Sequence, residues 1–154
     1  MTRMENVQDF LAQKRFAFVG VSSRPKDFSR ALFLEFQVRH YEPVPVHPEA
    51  VEIEGAPCFA HVRDIQPPVD SVLLMTAPAV TNRVVQECVE AGVKRVWFYR
   101  GGGQGALTEA AMQLCEANGI RTVAGECPFM FFDNTPWFHR FHGLVKRIVG
   151  TYPR

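Results

Sequence analysis

The stretch RFAFVGVSSRPKDFSR, residues 15–30, constrains the fold more than any other part of the chain. Phe16, Ala17, Phe18 and Val19 form an apolar run of strand length, and Gly20 ends it abruptly. A polar loop of Ser22, Ser23, Arg24, Pro25, Lys26 and Asp27 follows, and apolar residues then recur at helical spacing at Phe28, Ala31, Leu32 and Leu34. A buried strand that passes through a glycine turn into a helix start leaves unpaired first-turn N–H groups and the positive end of a helix dipole over the loop. Arg24, Lys26 and Arg30 add formal positive charge there. The segment therefore predicts an anion site suited to a phosphorylated, nucleotide-like ligand.

The rest of the chain repeats the alternation. Val7, Phe10 and Leu11 suit a short leading helix. Strand 1 is predicted over 16–21 and a helix over 29–40. Pro43-Val44-Pro45-Val46-His47-Pro48 reads as a short extended segment, because its prolines exclude helix. Residues 52–58 read as a turn or minor hairpin, and 61–65 as one helical turn before Pro67-Pro68. Ser71-Val72-Leu73-Leu74-Met75 has the continuous apolar character of a parallel strand buried on both faces. A helix over 79–91 closed by Gly92, a strand over 95–99, a loop at Gly101-Gly102-Gly103, a helix over 107–118 and a strand over 120–124 complete the pattern. Five strands separated by helices predict a Rossmann-like α/β fold, a doubly wound parallel sheet with its ligand site beyond the C-terminal strand ends.

Composition narrows the function. At 154 residues the chain is sized for one domain, and its net charge of +1 argues against a general nucleic-acid binder. The mixed-charge N-terminus lacks a signal-peptide apolar core, and no run reaches the roughly 20 residues of a membrane span. These features predict a cytoplasmic protein. Cys58, Cys88, Cys115 and Cys127 are scattered, without a C-x-x-C pair, so neither a disulfide framework nor a zinc signature is present. Cys88 and Cys115 fall in amphipathic helices, where a small buried residue is expected.

The positions that follow the strands are Gly20-Val21-Ser22, His47-Pro48, Thr76-Ala77-Pro78, Arg100-Gly101-Gly102 and Glu126-Cys127-Pro128. None forms a nucleophile–base–orienter set, and no carboxylate pair is placed for acid–base chemistry. A dinucleotide site needs G-x-G-x-x-G after strand 1 and an acid after strand 2. This chain has Gly20 followed by Ser22, and Val46-His47-Pro48 in place of the acid. NAD is disfavoured, whereas a ligand with an additional phosphate near its ribose is compatible with His47 and neighbouring basic groups.

The segments VGVSSRPKDFSR, PVPVHPEAVEIEGAPCFAHVRDI, VDSVLLMTAPAV, GVKRVWFYRGG and GECPFM together resemble the small stand-alone CoA-binding proteins, which are similar to the CoA-binding domain of succinyl-CoA synthetase alpha subunits. The resemblance spans about 16–128. It implies coenzyme A or an acyl-CoA as ligand, with the pyrophosphate on Gly20, Val21 and Ser22 and with Ser29 and Arg30 at the following helix start. It also implies that Val46, His47 and Pro48 lie against the adenosine 3′-phosphate end. Thr76, Ala77 and Pro78 would line the adenine or pantetheine path. His47 stands where Asn is usual in this family, and Glu49 where Lys is common. The phosphorylated histidine of the synthetase lies in a domain outside this stretch, so ligase activity is not implied. Two other readings stay open: an NADP(H)-binding enzyme or redox sensor, and a structural partner subunit with a vestigial site.

Residues 1–128 are thus read as the Rossmann-like domain and 129–154 as a C-terminal helical extension, dense in aromatic and basic groups. A helix beginning near Pro136 would carry Trp137, Phe138, Phe141, Leu144, Val145 and Ile148 on one apolar face, for docking on the sheet, on a second copy or on a partner protein. A membrane-surface helix is the second reading of this tail. His139 and His142 lack a third ligand nearby in sequence, and no metal is assigned. Cys127, beside Pro128 at a strand end, is either a quiet core residue or a thiol that faces the CoA thiol.

Overall fold

A computed structural model describes residues 4–100 and 105–132. The elements are α1 (Met4–Ala12), β1 (Arg15–Val19), α2 (Phe28–Val38), β2 (Glu42–Val46), β3 (Glu52–Ile53), β4 (Ala56–Pro57), β5 (Ser71–Leu74), α3 (Pro78–Glu90), β6 (Arg95–Tyr99), α4 (Glu109–Ala117) and β7 (Arg121–Glu126). Single 3-10 turns lie at Val62–Asp64 and Pro128–Phe131. Five strands form one parallel sheet in the order β2-β1-β5-β6-β7, and β3 and β4 pair as a small antiparallel hairpin. This is the expected Rossmann-like α/β architecture. The strand order reverses at β1, whose neighbours are β2 on one side and β5 on the other, so the crevice beyond these three strand ends is a topological switch point.

Period-two alternation sorts the apolar strands into two cores. Ala17, Val19, Val44, Val46, Val72, Leu74, Val96 and Phe98 join Val85 and Cys88 of α3 and Ala111 and Cys115 of α4. Phe16, Phe18, Leu73, Trp97 and Val123 join Val7 and Phe10 of α1 and Leu32, Phe33 and Phe36 of α2. Every residue of β5 is buried, as helices on both faces require. Cys88 and Cys115 lie in the core as small apolar residues, with both thiol pKa values pushed up by burial, that of Cys115 to about 11.

Several boundaries differ from the sequence reading. Strand β1 stops at Val19 rather than running to 21, because Gly20 turns the chain at φ +93°. Helix α2 starts at Phe28 and ends at Val38, two residues before the predicted end. Arg39 caps it, and His40 leaves the helix at φ +67°. Helix α4 starts at Glu109 rather than 107, since Thr108 is its N-cap and its hydroxyl accepts from the Ala111 N–H at 3.1 Å. Strand β7 extends to Glu126 instead of ending at 124. A register shift pairs Tyr99 with Glu126 directly after the Phe98–Ala124 pair, and Gly125 is the extra residue at φ +78°.

Residues just past 128 belong to the core. Phe129 and Phe132 are buried, and the Phe132 ring lies 5.1 Å from that of Phe36 and 6.0 Å from that of Phe129. The helix predicted from Pro136 and the Gly101-Gly102-Gly103 loop lie outside the described residues. Among those described, no helix is long and apolar enough to cross a membrane.

Candidate functional site

A cleft of about 460 Å³ opens at the switch point. Its floor comes from the ends of β1, β2 and β5: Val19, Gly20, Val21, Val46, His47, Pro48, Met75, Thr76 and Ala77. One wall is a single face of α3, Val80, Arg83, Val84 and Glu87, spaced i, i+3, i+4, i+7. The other is Ala60, His61 and Val62, held over the crevice by a parallel bridge between Val46 and Phe59. In that bridge the His47 N–H donates to the Phe59 carbonyl and the Phe59 N–H to the Pro45 carbonyl, both at 3.0 Å.

Gly20 has a local reason to be glycine. A Cβ there would lie 2.5 Å from the Met75 carbonyl oxygen and 2.6 Å from its carbon, so β1 and β5 approach too closely for any side chain. The Met75 N–H donates to the Val19 carbonyl at 2.8 Å and locks that approach.

The loop after Gly20 is organised by hydrogen bonds among its own side chains. The Ser22 N–H donates to Ser29 Oγ at 2.8 Å, and Ser22 Oγ donates to Asp27 Oδ2 at 2.6 Å. Arg24 Nε reaches the same carboxylate oxygen at 3.1 Å. The Ser22 hydroxyl, then the Arg24 guanidinium, hold the Asp27 carboxyl below its usual pKa against the opposing effect of burial. Arg30, nearly buried, forms a 2.5 Å ion pair with Glu54 in the β3–β4 hairpin and donates to the carbonyls of Ser22 and Ser23 at 3.2 Å. Its charge is matched by Glu54, and it acts as a clamp that fixes the loop backbone. Lys26, in the same loop, is exposed.

His47 is placed by its own turn. Its Nδ1 accepts from the N–H groups of Glu49 at 3.0 Å and Ala50 at 2.9 Å, the role an Asn side-chain oxygen plays in an Asx turn. The proton of the neutral ring is therefore on Nε2. Thr76 Oγ1 and Thr81 Oγ1 share a 2.7 Å hydrogen bond at the start of α3, where Pro78 takes the first-turn position.

Of the residues singled out by sequence, Gly20, Val21, Val46, His47, Pro48, Thr76 and Ala77 come together around the cleft. Ser22, Arg24, Lys26, Ser29 and Arg30 form the adjoining loop and helix start, and Pro78 opens α3 beside it. Ala60, His61, Val80, Arg83, Val84 and Glu87 escaped the sequence reading. The available signal was Arg83 and Glu87 set among the valines of one helical face. Cys127 is buried in the opposite core, with Phe129 and Phe132, and does not line this cleft.

The comparisons agree with this fold. The uncharacterized protein YneT of Bacillus subtilis (strain 168) is 28% identical over 114 residues, which cover 74% of this chain and 82% of YneT. A hypothetical protein from Pyrococcus horikoshii OT3 superposes with a TM-score of 0.75 at 25% identity, over 83% of this chain and 87% of that one. The ADP-forming acetate–CoA ligase of Methanocaldococcus jannaschii is 23% identical over 118 residues, 74% of this chain but only 17% of the ligase. The family model described as CoA binding domain matches residues 14–133, from the residue before β1 to just beyond the Phe132 packing. Because that model spans most of the chain, this chain belongs to the CoA binding domain family.

Proposed function

We propose that the protein binds coenzyme A or an acyl-CoA, with the adenosine portion in the cleft and the pyrophosphate over the 20–22 loop at the start of α2. The observation that carries the reading is the position of the cleft. It lies beyond the ends of β1, β2 and β5, where open α/β sheets take nucleotides, in a chain of the CoA binding domain family. Its valine-rich walls suit a flat heterocycle, and its volume falls in the usual range for small-molecule sites. Backbone N–H groups and the dipole of α2 would meet the pyrophosphate, which competes with the Asp27 carboxylate for the Ser22 hydroxyl. His47 Nε2–H and Arg83 are the donors at the cleft for the 3′-phosphate end. The proposal is one of binding, and no reaction is assigned.

Thermal unfolding with added ligand tests it. A ligand present at a hundred times its dissociation constant stabilises the folded state by about 2.7 kcal/mol. For a chain of this length that raises Tm by about 5–10 °C. CoA is expected to give such a rise and NADPH a smaller one. A larger rise with NADPH would move the assignment to an NADP(H) protein, and no rise with either would favour a structural subunit.

A further inference from the structure

Glu54 stands where its own backbone does not favour it. Residues 54 and 55 join β3 to β4 as a two-residue hairpin loop, and both have positive φ, +49° at Glu54 and +77° at Gly55. Such a loop favours Asn, Asp or Gly at its first position, because a longer side chain resists the left-handed region. What the carboxylate meets explains its presence. Glu54 Oε1 accepts from Arg30 Nη2 at 2.5 Å and from Arg30 Nε at 3.2 Å. Two turns further along α2, the Gln37 side chain donates to the Glu54 carbonyl at 3.1 Å, and the adjacent Ile53 is buried in the core. The hairpin is thus fixed against α2 with its carboxylate on Arg30.

The pair acts on the loop after Gly20. With Nε and Nη2 on Glu54, Arg30 presents Nη1 to the carbonyls of Ser22 and Ser23, both at 3.2 Å. The Arg30 side chain is only 10% exposed, which leaves it little room to move off them. In a trans peptide the C=O and the N–H that follows it point in opposite directions. Turning the Ser22 carbonyl toward Arg30 therefore turns the Ser23 N–H away from it. The next amide, that of Arg24, donates to Ser22 Oγ at 3.0 Å. The Ser23 N–H has no partner among the described residues, and Ser23 is exposed.

We propose that Glu54 is a positioning residue for the ligand's pyrophosphate: through Arg30 it sets the Ser23 N–H outward, as the amide that meets a phosphate oxygen. The inference rests on the CoA reading above and goes beyond it by naming that amide and the distant carboxylate that aims it. The charge of Arg30 is already matched by Glu54, so its part in binding the anion is indirect. Without the carboxylate, Arg30 is a buried cation with no counter-charge. It then turns toward solvent, and the peptide between Ser22 and Ser23 is released to rotate.

The test is calorimetric titration of the full chain with CoA and with adenosine 3′-phosphate, which keeps the base and the 3′-phosphate but lacks the pyrophosphate. Glu54→Asn suits the turn, is one methylene shorter and carries no charge. It is expected to weaken CoA binding by about tenfold or more and to change adenosine 3′-phosphate binding by less than about twofold. A general loss of structure would weaken both. Because this change strands the Arg30 charge, Arg30→Met and the double variant of Arg30→Met with Glu54→Asn complete the cycle. Once the guanidinium is gone, Glu54→Asn is expected to cause no further loss of CoA affinity. Undiminished CoA affinity in Glu54→Asn, equal losses for the two probes, or losses that add in the double variant overturn the positioning role while leaving CoA binding intact. Failure of the parent protein to bind CoA overturns both readings.

Discussion

Gly20→Ala is the most informative single substitution, because its cost follows from two separable terms. The residue sits at φ +93°, where a Cβ costs about 1–2 kcal/mol in backbone strain alone. Its Cβ would also lie 2.5 Å and 2.6 Å from the Met75 carbonyl atoms and 3.1 Å from the Thr76 nitrogen. These are backbone atoms and cannot rotate away, so β1 and β5 must separate and weaken the 2.8 Å Met75–Val19 hydrogen bond. Overpacking of this kind costs about 1–3 kcal/mol, and the two terms together reach about 2–5 kcal/mol. For a domain of this size the drop in Tm is about 5–15 °C. Gly92→Ala is the internal control: it also has positive φ, at +74°, but nothing lies within 4 Å of its Cβ, so only the strain of about 1–2 kcal/mol remains. Urea or thermal unfolding of the two variants measures the difference. If Gly20→Ala proves no less stable than Gly92→Ala, the argument from strand approach is refuted. The same reasoning means that loss of ligand binding on replacing Gly20 is a consequence of the fold before it is a sign of contact with ligand.

Three further outcomes follow from the packing and the charges. At the opposite end of the sheet, Asp9 lies 2.7 Å from Arg95 and 3.2 Å from Arg121; the hydrogen bond from Arg95 leads in holding its pKa below the usual 3.8, against opposing desolvation. A depressed carboxyl stabilises above its unfolded value, so Asp9→Asn is expected to cost about 1 kcal/mol at neutral pH, and the gap to the parent should close as pH falls below about 4. A gap independent of pH would count against the ion pair. Phe132→Ala removes a ring packed on Phe36 and Phe129 and covered by the Arg39 guanidinium at 4.5 Å, and should cost about 3 kcal/mol in urea unfolding. Among the thiols, Cys58 is the one not fully buried, so a thiol reagent should label it first, with Cys88 and Cys115 reacting only on unfolding. Mass mapping of the labelled sites reads this directly, and equal native rates at all three would contradict the burial.

The two-faced apolar character of β1 and β5 was plain in the sequence, since helices on both sides demand it and nothing distant alters it. The short segment at 52–58 was equally legible, as glycine and proline confine it to a turn or hairpin. Gly20 was legible as a turn but its deeper reason was not, because the clash is with Met75, on a strand that reaches it only through the fold. Arg30 reads as a loose cation when its neighbours in sequence are considered. Its partner Glu54 lies 24 residues away, and the pairing turns a surface charge into a clamp. The α3 wall of the cleft was hidden for a similar reason. A face of Val80, Arg83, Val84 and Glu87 looks like any amphipathic helix until the bridge at Phe59 brings His61 against Glu87. Phe129 and Phe132 were set apart with an aromatic tail, and only tertiary packing shows that they complete the core around α2.

The most direct test of the central claim is isothermal titration of the reduced protein with CoA, with dephospho-CoA and NADPH measured in parallel. The account predicts binding on the order of micromolar for CoA, weaker binding for dephospho-CoA and weaker still for NADPH. No heat with CoA, or tighter binding of NADPH than of CoA, would contradict it.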